Sequence, residues 1–210
     1  MPLRHTTIRT NNIPNDHRDR WQHIVDSLAT IFDAPFSTIM RIQGSHLEAF
    51  VVHKSPEIPF ELGHKVDMKG NLFNLKALAD TNPIYIEDAS SAPEWENCPA
   101  LKMGLSSYLG TALRWPGGEY FGTLCILDKK PIGSTLMQLA LLDSFRTSLE
   151  DELHLVLEIN ERKRYQRLLE GKMAELAAFN TELGKKEKRI LDLKREMDKL
   201  HESASKPKGH

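Results

Sequence analysis

Apolar positions along this chain fall into two textures that meet at Pro131. Before it, short apolar runs alternate with turn signals. In RWQHIVDSLATIFDAP, starting at Arg20, Ile24, Val25, Leu28, Ile31 and Phe32 recur at helical spacing and Pro35 marks the end of the predicted helix. FSTIMRIQGSHLEAFVVHKSP reads as a hairpin with Gln43-Gly44-Ser45 at its turn. GNLFNLKALADTNP reads as a helix, PIYIEDA as a short strand, and SAPEWENCPALKMGLS as a loop with a helical turn. From Ser107 to Pro131, SYLGTALRWPGGEYFGTLCILDKKP reads as two strands around Trp115-Pro116-Gly117-Gly118. The order is helix, two strands, helix, strand, loop and helix, two strands, long helix. It predicts an α+β domain whose mostly antiparallel sheet is flanked by terminal helices.

After Pro131 no proline occurs until Pro207, and from about Thr135 to Ser203 helix formers are almost unbroken. At about 1.5 Å per residue this is a helix on the order of 100 Å long. Its first part, LMQLALLDSFRTSLEDELHLVLEIN, is rich in apolar residues and is expected to pack on the domain. Its second part has a seven-residue period. Leu169, Leu176, Leu183, Ile190 and Met197 share one position, and Met173, Asn180, Glu187, Lys194 and His201 share the companion position. The pattern predicts a coiled coil, although the polar companions weaken the seam. A lone Asn at such a position favours a parallel two-stranded register, so Asn180 points to a parallel homodimer. The alternative is a solvated single helix, which Gly171 and Gly184 would weaken.

Composition narrows the function classes. The 210 residues are 40% hydrophobic and 27% charged, enough for one domain with a core plus an extension. A net charge of -1 makes no global case for nucleic acid or an anionic membrane. The start, MPLRHTTIRTNNIPNDHRDR, holds no apolar run suited to a signal peptide, and no later stretch approaches the roughly 20 apolar residues of a membrane span. A cytoplasmic protein is expected. The two cysteines, Cys98 and Cys125, suit neither a disulfide framework nor a zinc site, so no metal is expected.

The stretch PIYIEDASSAPEWENCPALKMGLSSYLGTALRWPGGEYFGTLCILDKKP resembles the second half of a GAF domain, a small-molecule and signalling module of bacterial sensor proteins. The resemblance rests on Asp88 at the strand end, Pro93-Glu94-Trp95 and Asn97 in the loop, Ser107-Tyr108-Leu109-Gly110, Trp115-Pro116-Gly117-Gly118, and Phe121-Gly122-Thr123-Leu124-Cys125 into Leu127-Asp128. It covers about Arg20 to Ile159. It implies a ligand between the sheet and the segments crossing its face, roughly Gly70 to Ser107. The polar and aromatic candidates there are His53, Asn71, Asn74, Trp95, Cys98 and Tyr108. Each has a plainer role: Trp95 and Tyr108 as core aromatics, His53 as a solvated strand end, Asn71 and Asn74 as helix caps. Gly110 and Gly122 are positions where backbone or ligand could approach closely.

Sulfur chemistry is the other option the resemblance raises. Some relatives attach a linear tetrapyrrole or haem through a cysteine near Cys98. In the bilin-binding ones His usually follows that cysteine, whereas here Pro99 does, so no covalent cofactor is expected. Another branch of the fold reduces free methionine sulfoxide, which needs an accessible, activated thiolate and a resolving partner. Cys98 has no basic neighbour before Lys102, and Cys125 reads as part of a strand, packed as a small apolar residue. LHESASKP near the end resembles a sensor-kinase phosphoacceptor segment, but Pro207 is displaced from the expected spacing and no ATP-binding glycine motif is present, so His201 reads as a solvated residue.

The expected organisation is a flexible segment over 1–19, a GAF-like sensor domain over 20–159, a coiled-coil helix over 160–203 and a disordered tail over 204–210. The expected function is a non-catalytic cytoplasmic sensory module that binds a small molecule and relays its state through a dimeric coiled coil to a downstream signalling protein. A ligand-free dimerisation or protein-interaction scaffold is the alternative. A thiol-based methionine sulfoxide reductase comes behind both.

Overall fold

The computed structural model describes residues 13–56, 60–69 and 72–204. The first helix, α1 (Asn15–Ile31), is followed by β1 (Phe36–Gln43), β2 (His46–Val52) and a short β3 (Lys65–Asp67). Next come α2 (Leu72–Ala79), β4 (Ile84–Ile86), a single 3-10 turn at Pro93–Trp95 and α3 (Pro99–Lys102). The domain closes with β5 (Ser107–Arg114) and β6 (Tyr120–Asp128), and α4 (Leu136–Ala204) follows. The chain divides into two compact units, Met1–Ile159 and Asn160–His210.

In the first unit six strands form one sheet in the order β3-β2-β1-β6-β5-β4, with every neighbouring pair antiparallel. β1 and β6 are joined closely because Gly122 lies against the Met40 carbonyl, where any Cβ would collide with backbone. This glycine is therefore required by strand approach and not by a turn.

The sheet buries both faces, which explains the apolar runs in its central strands. On one face Trp21, Val25 and Leu28 of α1 and Leu142, Leu149 and Leu153 of α4 pack against Ile39, Leu109, Leu124 and Ile126. The α4 residues recur at the spacing of a helix stripe, as expected for the apolar first part of this helix. Trp21 sits edge-on to Phe50 and Phe121, with ring centroids 5.8 and 5.7 Å away. Its indole Nε1 donates to Glu152 Oε2 at 2.8 Å, and His17 Nδ1 lies 2.8 Å from the same oxygen. Two residues earlier, Glu150 Oε1 accepts the Arg114 backbone N–H at 2.8 Å. These acceptors pin the first part of α4 to α1 and to β5. On the other face Phe73 and Ala77 of α2, with Trp95, Cys98 and Leu105, cover Phe36, Met40, Tyr108, Cys125 and Leu127.

Two elements depart from the sequence reading. β3 is extra, and α1 starts at Asn15 where a flexible segment was expected through residue 19. In this first turn His17 meets Glu152, and the Arg18 guanidinium donates to the Phe50 carbonyl at 3.2 Å and stacks on the Phe50 ring. Tertiary partners thus hold a turn that has no apolar period of its own. Residues 1–12 and 205–210 lie outside the described residues.

In the second unit Leu169, Met173, Leu176, Leu183, Ile190 and Met197 are all exposed, as is Asn180. Phe179, Leu193 and Leu200 are exposed too. These three lie three residues beyond Leu176, Ile190 and Met197, so apolar residues also occupy a column outside the two seam positions read from the sequence.

Candidate functional site

Asn74 is the polar centre of the face opposite α1. It stands within α2, one residue after Phe73, and the helix presses both against the sheet. Its Oδ1 accepts the Tyr108 hydroxyl at 3.1 Å and the Thr123 hydroxyl at 2.9 Å. Neither donor could reach water, since Tyr108 and Thr123 are both fully buried. One carbonyl oxygen therefore satisfies two buried hydroxyls from adjacent strands. Asn74 is a core acceptor and not the helix cap considered from the sequence.

Tyr108 fits flat on the sheet only because position 110 has no side chain. A Cβ at Gly110 would run into the Tyr108 hydroxyl and come within 2.9 Å of the Cys125 Cβ. Phe73 lies next to the Tyr108 ring at a centroid distance of 5.3 Å and next to Trp95 at 5.0 Å. Trp95 is capped from outside by Lys76 Nζ, 5.1 Å from its ring.

Beside this stack the packing leaves a cavity of about 30 Å³. Its floor is Thr38 and Met40 of β1, Tyr108 of β5 and Cys125 and Leu127 of β6; its roof is Phe73, Asn74, Ala100 and Leu105. Phe60, Val66, Pro99 and Met103 also line it, and these four are only half-buried, so they form its rim. Burial holds the Tyr108 hydroxyl well above its usual range. Burial also pushes the Cys125 thiol up to about 12. Both groups are neutral at physiological pH.

Of the six residues read as ligand candidates, Asn74, Trp95, Cys98 and Tyr108 come together in this core. Asn74 and Tyr108 line the cavity itself; Trp95 and Cys98 back it. Asn71 lies outside the described residues. His53 is elsewhere: it follows β2, its Nδ1 lies 2.8 Å from Asp26 Oδ1 on α1, and it borders an open depression of about 520 Å³ with Asp33, Asp128 and Lys130. His53 lies beyond the end of β2, and its hydrogen-bond partner Asp26 belongs to the helix on the opposite sheet face. Thr123, Thr38, Met40 and Met103 were not among the candidates. Alternation along β6 could have found Thr123, two residues before Cys125 and on its side of the strand.

Cys98 is 1% exposed and Cys125 fully buried. Among the described residues no group of three or more His, Cys, Asp or Glu is placed to hold a metal ion.

Comparison with known proteins agrees with this architecture. The family model for the GAF domain matches residues 16–153. No curated protein matches the chain. The GAF domain of a two-component sensor histidine kinase from Bacillus halodurans is 18% identical, covering 72% of this chain and 99% of that one at a TM-score of 0.52. The GAF domain of an Acinetobacter phosphoenolpyruvate-protein phosphotransferase is 15% identical, covering 69% and 86% at a TM-score of 0.54. The type II free methionine-R-sulfoxide reductase from Thermoplasma acidophilum is 16% identical, covering 68% and 95% at a TM-score of 0.53. At these identities the likeness is one of fold.

Proposed function

The chain belongs to the GAF domain family, and from that premise we propose that it is a sensory and regulatory module of signal transduction. A small molecule binds in the cavity beside Asn74 and Tyr108, and α4 passes the bound state on through a parallel homodimeric coiled coil to a downstream signalling protein. The observation that carries this reading is the two-sided construction of β6. Thr123 and Cys125 face the Asn74 network and the cavity, while the alternate residues Leu124 and Ile126 pack in the core that contains Leu142, Leu149 and Leu153 of α4. A ligand that prefers one position of this strand biases the packing of the exit helix by its difference in affinity for the two positions.

The dimer is supported by the exposed stripe of Leu169, Leu176, Leu183, Ile190 and Met197, with Met173 beside it and Asn180 favouring the parallel register. No catalytic step belongs to this reading. Reductase chemistry calls for an accessible, activated thiolate, and Cys98 is buried while the Cys125 thiol is pushed up to about 12. The same burial of Cys98 argues against a covalent bilin or haem there. Among the described residues no helix is long and apolar enough to cross a membrane; the proposed setting is the cytoplasm, with neither membrane nor nucleic acid as partner. The small cavity, about 30 Å³, favours a second reading, a ligand-free scaffold, because pockets for larger ligands run to roughly 300–1,000 Å³.

Native mass spectrometry of the full chain tests the proposal by reporting stoichiometry and retained small molecules together. A dimer is expected, and Leu176→Lys with Leu183→Lys should give monomers whose tryptophan fluorescence is unchanged. A parent chain that is monomeric at micromolar concentration overturns the relay. A dimer that never carries or accepts a small molecule moves the reading to the scaffold.

A further inference from the structure

Resting on the sensory reading, we infer that the cavity selects a small, uncharged, mostly apolar molecule and rejects anions and cations of the same size. Among the described residues no Lys, Arg, His, Asp or Glu lines it. Lys76 and His64 stack against Trp95 and Phe60, but both are solvent-exposed and neither faces the cavity. An ion entering would exchange its hydration for methyl, aromatic and thiol surface with no opposite charge, and that exchange is unfavourable.

The polar atoms present fit a neutral hydroxyl-bearing guest. Thr38 Oγ1 donates to the Val51 carbonyl at 2.7 Å and the Tyr108 hydroxyl donates to Asn74 Oδ1 at 3.1 Å. Their protons are spent on the protein, so toward a guest O–H these two oxygens can act only as acceptors. The neutral state of Tyr108 and Cys125 is secured by their burial, so neither adds charge near neutral pH. Size sets the second limit. A space of about 30 Å³ takes one or two water-sized groups, so a guest of several heavy atoms must displace the rim. Met103 suits that displacement because its unbranched thioether changes rotamer readily.

The test titrates the full chain, labelled with 13C at its methionine methyls, with three probes of similar size: 1-butanol, butyrate and n-butylammonium. Butanol should shift the Met40 and Met103 methyls saturably while the exposed Met137 and Met173 stay still. The two ions should need at least tenfold higher concentration for the same shift. Ala100→Val, which fills the cavity from its roof, should weaken butanol at least tenfold; should that variant not fold, the parent's methyl map decides alone. An ion that binds as well as butanol overturns the selectivity and leaves the sensory reading standing. No saturable shift at Met40 and Met103 from any probe overturns both.

Discussion

Replacing Asn74 by Leu keeps its branching and its number of heavy atoms and removes the one acceptor that serves two buried hydroxyls. The Tyr108 and Thr123 donors, 3.1 and 2.9 Å from Asn74 Oδ1, would then face apolar surface in a fully buried setting. Each orphaned donor costs about 1–3 kcal/mol, so the single substitution should cost about 2–6 kcal/mol. That is a large part of the stability of an ordinary domain. Removing the donors as well reverses the argument: Asn74→Leu with Tyr108→Phe and Thr123→Val replaces the whole network by apolar groups of similar shape. Such an exchange is nearly neutral, and the triple variant should return to within about 2 kcal/mol of the parent. Urea unfolding followed by tryptophan fluorescence reads this cleanly, because Trp21, Trp95 and Trp115 are all buried in the first unit. A single-variant loss below about 1 kcal/mol, or a triple variant no more stable than the single, would refute the assignment of Asn74 as the shared acceptor.

Two further outcomes follow from the same face of the sheet. Cys125 has its pKa raised from 9.0 to about 12 and Tyr108 is raised also; above pH 9 the unfolded chain therefore binds fewer protons than the folded one, and stability falls as pH rises, by up to about 1.4 kcal/mol per pH unit per group. Urea midpoints from pH 8 to 10.5 should decline and Cys125→Ala should flatten the first part of that decline, at a cost of about 1 kcal/mol at neutral pH; a midpoint level to pH 10.5 in the parent contradicts the burial of both groups. Gly122→Ala should cost about 3 kcal/mol through collision with the Met40 carbonyl, whereas Gly133→Ala, which opens into empty space, should stay within about 0.5 kcal/mol. Equal costs for the two would contradict the close β1–β6 approach.

Much of the fold was legible because its long elements carry their own period. The apolar positions of α1 and the alternation and turns of the two hairpins are local signals, and each marks an element where the structure has one. β3 was illegible for the converse reason. Lys65-Val66-Asp67 is too short to show alternation, and it is a strand only because His46, Leu47 and Glu48 pair with it. The first turn of α1 was hidden in the same way, held by Glu152 far along the chain. At the site, resemblance brought Asn74, Trp95, Cys98 and Tyr108 onto one list, but the role of Asn74 depends on partners 34 and 49 residues away. No local pattern distinguishes a helix cap from an acceptor of that kind. His53 was misplaced because a residue following a strand shows its face only once the neighbouring helix is known.

The distribution of charge across the sheet bears on how a signal would travel in the proposed relay. On the α1 side, Glu150 and Glu152 gather the Arg114 N–H, the Trp21 indole, His17 and Arg20, so the first part of α4 is held by directional bonds. Among the described residues no charged side chain lines the cavity. A neutral guest would therefore act on the sheet by shape and by hydrogen bonds to neutral oxygens, at Tyr108 and Cys125 above all. β5 carries both ends of such a displacement, since Tyr108 lies at the cavity and Arg114, later in the same strand, bonds Glu150 through its backbone N–H. That N–H···O bond depends on strand position and not on side-chain identity at 114. A shift of β5 must therefore be met either by movement of α4 or by loss of this bond, and a helix bonded in this way responds to small strand displacements where one held only by apolar contact could slide.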